Sequence, residues 1–399
     1  MHLSRPRVGW VAAVLLGVMG CTGVDESAGA ATESATAVAQ ELRIDLSPNS
    51  VAYDYYPSQH VPHGVTGDEQ FVFVTQPLSG RVAVVDRLTG SELTTLPAPP
   101  LGWQLPFALR IPHSGRLVVL DAGGFPNPFV PSIARLYEYD YARDRRTRQF
   151  EATLVRTISF EGLPLVFAED FEVLPAGGYV VSESVIGALW TVSAAGQIAP
   201  GLLPDSFAPA DGIPALAPCP FTPVSIGGIP FSTAGNFAPG VGSLAVRDGQ
   251  LYFGSSCRGG VARVPVASLT DVSRSPRQRA DDIVDVSARG AGVASESLKG
   301  FTFNRWKPSD HHLYVTDTFG QRVLRVDLTT GAREVVADDP TLFDFPVSAQ
   351  FLPPVGGGNG PSMLVVASDQ EYRLTALNAL ISQDVLHPPF IVAKIYMLK

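Results

Sequence analysis

Seven side chains able to do chemistry stand in short segments that lead into apolar, β-rich runs. They are His63 in "VPHGV", Gln104 in "GWQLP", Glu169 and Asp170 in "FAEDF", Ser243 in "GVGSL", Lys299 in "SLKGF" and Asp344 in "FDFPV". Carboxylates such as Glu169 and Asp344 serve as proton acceptors or as oxygen ligands for a divalent cation. A lysine supplies a fixed positive charge, and a histidine titrates near neutrality. Plainer readings stand beside these. Glu169 and Asp170 also suit a capped turn or a solvated pair, Lys299 an exposed strand end, and His63 a hydrogen-bonded turn histidine. His311 and His312 follow Asp310 in a turn, but adjacent residues of an extended chain face opposite sides, so they make a poor bidentate metal site. The chain has no Gly-x-Ser-x-Gly elbow, His-Glu-x-x-His or phosphate loop.

The elements that must carry these residues repeat. "LYVTDTFGQRVLRVDLTTG" from Leu313 consists of two short β-rich runs and two turns. The same shape recurs in "FVFVTQPLSGRVAVVDRLTG" from Phe71, and in segments from Leu117, Tyr179, Leu251 and Leu364. Most copies are preceded by one further short strand and followed by another. Four antiparallel strands per unit, repeated six times, predict an all-β, six-bladed β-propeller over residues 41–399. One sheet alone cannot bury both faces, whereas a closed ring of blades can. "ELRIDL" near the start and "FIVAKIYMLK" at the end are the segments expected to close the ring. In a propeller, residues just before each innermost strand ring the mouth of the central channel, the default place for a ligand.

Composition agrees. Of 399 residues, 45% are apolar and 17% charged, enough for a large core, and 38 Gly with 34 Pro require frequent turns. The net charge of -9 argues against nucleic acid as a partner. Arg143, Arg145, Arg146 and Arg148 form a basic cluster that reads as a solvated loop. Residues 200–239 depart from the repeat, and their apolar content predicts an ordered insertion, either a cap over the mouth or a side flap packed on the blade edge.

The first residues read as an export signal. His2, Arg5 and Arg7 precede an apolar run from Val8 to Gly20, which is too short to span a bilayer. Its end, "LLGVMGC", resembles a bacterial lipobox with Cys21 as the lipidated residue. Cleavage at "AVA" (Ala37 to Ala39) is the alternative. The expected organisation is a lipoprotein signal peptide over 1–20, a disordered tether over 21–40, and a monomeric propeller held at the cell envelope by its lipid. Thr22, rather than Asp, after the cysteine implies the outer membrane by the same analogy. Cys219 and Cys257 remain in the mature chain, and an oxidising compartment makes a disulfide between them an expectation.

The stretches "LYVTDT…RVLRVDLTTG", "EDFEVLPAGGYVVSES" and "LYFGSS…GGVARVPV" resemble the senescence-marker-protein/gluconolactonase-like propellers, and more loosely the NHL and strictosidine-synthase-like ones. The resemblance spans most of the chain after about Asp45. It implies a small-molecule site at the channel mouth and a lactone or ester hydrolase using a divalent cation such as calcium. In that scheme Glu169 and Asp344 are metal ligands, and Asp344 is also the base. Lys299 stands where the family places a neutral asparagine. An ammonium there opposes a cation and can pair with Glu169 instead. Two alternatives therefore stay open: a non-catalytic propeller that binds a ligand or a protein, and a metal-free enzyme of the strictosidine-synthase-like kind. By the same resemblance, Asp317 in "YVTDT" is a structural strand-end aspartate.

Overall fold

The computed structural model describes strand segments Leu42–Ile44 and Val51–Tyr53 and residues 60–397, except 125–132, 145–148, 205–212, 219–222, 234–238, 257–258, 289–295, 355–361, 376 and 388–389. The signal, the tether and both late cysteines lie outside these residues. The disulfide expectation is corrected: no disulfide bond is present among the described residues.

The expected six blades form. Blade 1 runs outward through Val65–Gly67, Phe71–Gln76, Arg81–Asp86 and Glu92–Thr95. Blade 2 comprises Pro106–His113, Arg116–Asp121, Arg135–Arg143 and Phe150–Ser159. Blade 3 comprises Ala168–Val173, Tyr179–Glu183, Ala188–Val192 and Ile198–Leu202, and blade 4 comprises Val241–Arg247, Gln250–Ser255, Val261–Pro265 and Val284–Ser287. Blade 5 comprises Leu298–Phe303, His312–Asp317, Arg322–Asp327 and Arg333–Asp338. Blade 6 begins with Pro346–Leu352, Ser362–Ser368 and Phe390–Met397. Its outer edge is made by Leu42–Ile44 and Val51–Tyr53, both antiparallel to Phe390–Met397. The two ends of the chain thus close the ring in one sheet, as expected.

Burial explains the sequence pattern. Second strands are covered on both faces, so Phe71–Gln76, Tyr179–Glu183 and Ser362–Ser368 are buried throughout and read as continuous runs. The outermost Phe150–Ser159 instead alternates half-buried and exposed residues for most of its length. Between neighbouring blades lie apolar layers, such as Phe73, Leu109, Val119 and Tyr137 between blades 1 and 2, and Leu120, Phe171, Val181 and Trp190 between blades 2 and 3.

Side chains also stitch each junction of the inner ring. Thr75 donates to the Phe107 carbonyl at 2.8 Å, Ser182 to that of Gly242 at 2.8 Å, and Thr318 to that of Pro346 at 2.9 Å. The Gly300 amide donates to Ser243 Oγ at 2.9 Å and the Val65 amide to Ser348 Oγ at 3.2 Å. The sixth junction, blade 2 to blade 3, is the Arg110–Asp170 ion pair at 2.9 Å.

The insertion sends a hairpin, Val224–Ile226 with Ile229–Phe231, over blades 5 and 6. Ile226 and Phe231 pack with Phe319, Phe345, Val347 and Tyr372. Asn378, in the loop after the second strand of blade 6, locks it there, donating to the carbonyls of Pro230 at 2.8 Å and Tyr372 at 2.6 Å.

Candidate functional site

The inner strands are irregular where they enter the mouth. The register shifts between Pro106 and Ala108, Ala168 and Phe171, Val241 and Ser243, Lys299 and Thr302, and Pro346 and Ser348. Such bulges re-aim side chains that strict alternation would send into the blades. In blade 3 the shift spans Glu169 and Asp170, and the two carboxylates go to different partners.

Glu169 Oε1 lies 3.2 Å from Lys299 Nζ, with side chains only 8% and 14% exposed. Glu169 Oε2 is buried with no hydrogen-bond partner among the described residues. Gly242 makes room for this carboxylate, since a Cβ there would lie 2.7 Å from Oε1. Lys299 is followed by Gly300, whose φ of +57° suits glycine.

His63 joins them from the segment before blade 1. Its Nδ1 lies 2.9 Å from Asp369 Oδ2 and 3.6 Å from Glu371 Oε1, both in the loop after the second strand of blade 6. The Glu371 amide donates to Asp369 Oδ1 at 3.1 Å, and the Phe107 ring sits 3.7 Å from the imidazole, centroid to centroid.

Charges in this enclosure act on one another. Burial lowers His63 to about 4; Glu371 opposes that fall and Lys299 adds to it. The imidazole is therefore neutral at pH 7, and the tautomer that donates from Nδ1 to Asp369 carries its lone pair on Nε2. Burial also works against the Lys299 charge, but Glu169 foremost, then Glu371 and Asp369, hold the ammonium above its ordinary range. Asp369 is pushed up to about 7 by burial, against the pull of Lys299. Glu371 is pushed up to about 8 by burial and by Asp369, to which its side chain is hydrogen-bonded. One proton shared by the two acids leaves Asp369 free to accept from His63.

The remaining candidates have other partners. Asp170 takes Arg110 and the amides of Leu244 (3.0 Å) and Phe171 (2.8 Å). Burial, opposed by Arg110, pushes it up to about 6. Ser243 bonds the Gly300 amide. Gln104 is exposed, its side chain donating to the Leu101 carbonyl at 3.1 Å. Asp344 does not reach Glu169 or Lys299; it accepts from Tyr372 at 2.5 Å, Gln321 at 3.0 Å and Arg373 at 3.1 Å. Asp317 holds the Gly320 amide at 3.1 Å and Arg322 Nε at 2.9 Å, a structural strand-end aspartate. Of the seven candidates read from the sequence, His63, Glu169, Asp170, Ser243 and Lys299 line one cavity, Gln104 and Asp344 do not, and Asp369 and Glu371 were not among them.

The metal ligand set implied by the resemblance does not fit. Glu169 is engaged by a lysine, and Asp344 is spent on a separate cluster. His63, Asp369 and Glu371 do offer donor atoms within 4.8 Å of one another, but Lys299 already supplies these carboxylates with positive charge.

Two small cavities meet at His63 and Phe107. One, about 30 Å³, follows the channel past Arg110, Glu169, Ser243, Lys299 and Ser348. The other, about 10 Å³, lies under Val61, Leu78, Leu374 and Leu377, with His63, Asp369 and Glu371 among its lining.

No protein-family model and no curated protein matches the chain by sequence. Solved structures do match. A luciferin-regenerating enzyme is 11% identical, covering 90% of this chain and 95% of its own, with a TM-score of 0.52. A protein of unknown function from Bacteroides thetaiotaomicron is also 11% identical, over 86% of this chain and 70% of its own, with a TM-score of 0.50. Regucalcin, a calcium-binding protein from Agrobacterium tumefaciens, is 16% identical over 87% of this chain and 94% of its own, at a TM-score of 0.47. At these identities the likeness speaks to fold alone, and that fold is a six-bladed β-propeller.

Proposed function

We propose that the channel mouth is a small-molecule site that hydrolyses a lactone or ester without a metal ion. The observation that carries this reading is the placement of a buried Lys299–Glu169 pair beside a His63–Asp369 pair. A base oriented by a carboxylate, next to a fixed cation, is the equipment that acyl hydrolysis needs.

The roles follow from the protonation states. His63 Nε2 takes a proton from water as the water oxygen bonds to the carbonyl carbon. The carbonyl oxygen becomes an oxyanion and faces Lys299 Nζ, which stays charged. Asp369 stabilises the imidazolium through Nδ1–H. As the carbonyl reforms, the carbon–oxygen bond to the leaving alkoxide breaks, and His63 returns its proton to that oxygen. A carboxylic acid and an alcohol result, and in a lactone both remain on one molecule. Glu169 keeps Lys299 aimed and leaves Oε2 free for a ligand hydroxyl.

The test is a panel of lactones and aryl esters assayed with the wild type, His63→Ala and Asp369→Asn. Loss of about 10²–10⁴ in kcat/KM is expected from each substitution. Unchanged turnover in His63→Ala sinks the assignment. A second reading, a propeller that binds a ligand without turning it over, draws support from the narrowness of the two cavities; saturable binding with no product identifies it. Our reading also places the domain at the cell envelope, tethered through Cys21, as a monomer.

A further inference from the structure

We infer that the ligand is amphipathic: an ester or lactone whose carbonyl lies between His63 and Lys299, with a short aliphatic substituent under Leu78, Leu374 and Leu377. This rests on the hydrolase reading for the position of the carbonyl, and on independent observations for the substituent.

Of the two cavities that meet at His63, the channel-side one has a mixed polar and apolar lining and the other a mostly apolar one. On the channel side the lining includes Arg110, Glu169, Asp170, Ser243, Lys299 and Ser348. On the other side Val61, Pro77, Leu78, Phe107, Leu374 and Leu377 form the walls, and the polar groups are His63, Asp369 and Glu371. Those three are turned to one another by the bonds already described, so the walls facing the space are hydrocarbon. Phe107 belongs to both linings and lies against the imidazole with the ring planes tilted by 35°. A polar ligand on this side would leave its donors and acceptors unpaired against these walls. An alkyl group would exchange water for close contact.

Besides Phe107 on the first strand of blade 2, the walls come from three places in the chain. Val61 precedes blade 1, and Leu78 lies in the turn between the second and third strands of that blade. Leu374 and Leu377 sit in the blade 6 loop just beyond Glu371, where the amides of Leu377 and Asn378 both bond the Leu374 carbonyl. The loop is further held by Asn378 and by Tyr372 on Asp344. At about 10 Å³ the space holds roughly one water. A substituent of a few carbons must turn the Leu374 and Leu377 side chains aside, and the anchored loop behind them limits how far. Long chains are therefore excluded.

The test uses the mature protein and γ-lactones bearing no substituent, methyl, propyl, pentyl or heptyl groups. Affinity is expected to rise about fourfold per methylene up to propyl, then fall. Leu377→Asn and, on a separate element, Leu78→Asn should each flatten this profile. Leu374→Ala should move the optimum to a longer chain. Calorimetry of the same series on His63→Ala separates this inference from the hydrolase reading. Chain-dependent binding without turnover in the wild type keeps the aliphatic subsite and overturns hydrolysis. Turnover with a flat profile overturns the subsite. No binding by any member overturns both.

Discussion

Lys299 and Glu169 are 130 residues apart in sequence and lie on blades 5 and 3, yet Nζ and Oε1 are 3.2 Å from each other. Both are buried, and an uncompensated charge is costly in such a place. Lys299→Met should destabilise the fold by about 3–5 kcal/mol near neutral pH. Adding Glu169→Gln should recover part of that loss. Urea denaturation of both single variants and the double variant measures the coupling, and strict additivity would contradict the pair.

Stability should fall as pH rises from neutrality. Glu371, pushed up to about 8, and Asp369, pushed up to about 7, hold protons in the fold that the unfolded chain has already released. Their contribution is full below the ordinary carboxylate range and is lost as pH rises through 7 and 8. His63, lowered to about 4, works in the opposite sense: its contribution is full above 6.5 and is lost as pH falls from 6.5 towards 4. Between 6.5 and 8 the two acids are joined by Glu183, which burial pushes up to about 7, and His63 no longer contributes to the slope. Glu371→Gln should flatten the decline there; denaturation midpoints that track the wild type at every pH would refute the assignment.

Calcium should bind weakly or not at all to the wild type, because Lys299 occupies the charge position a cation would take. Lys299→Asn replaces an ammonium with a neutral oxygen donor beside Glu169 and should gain measurable affinity. Titration calorimetry decides this. Tight stoichiometric calcium in the wild type, abolished by Glu169→Gln, would reinstate a metal-dependent hydrolase.

The anchor is tested in cells. Cys21→Ser should move the protein from the membrane fraction to the soluble one. A wild-type protein already soluble, with its mature start near Gln40, would exclude lipidation at Cys21.

The blades were legible because their second strands are covered on both faces and their turns are rich in glycine. Closure through "ELRIDL" was legible too, because an unpaired final strand needs a partner. His63, Glu169 and Lys299 were found by their place before an inner strand. Asp344 has the same place, but Tyr372, Gln321 and Arg373 hold it elsewhere. No local pattern announces those partners. Asp369 and Glu371 were missed for the converse reason. They follow a second strand, where Asp121 and Asp317 serve as backbone-bonding acids, and only His63, more than 300 residues away in sequence, gives Asp369 a second role.

The closing strand of blade 6 has a consequence for the order of events in the cell. Leu42–Ile44 is made long before its partner Phe390–Met397. All of blades 1 to 5 must be synthesised before this sheet can be completed, and contacts so distant in sequence form slowly. Until then the finished blades present an open edge to their neighbours. A chain that stalls before Phe390 should therefore emerge as an unlatched ring, prone to association and to proteolysis, even with the intact mouth residues of blades 1, 3 and 5.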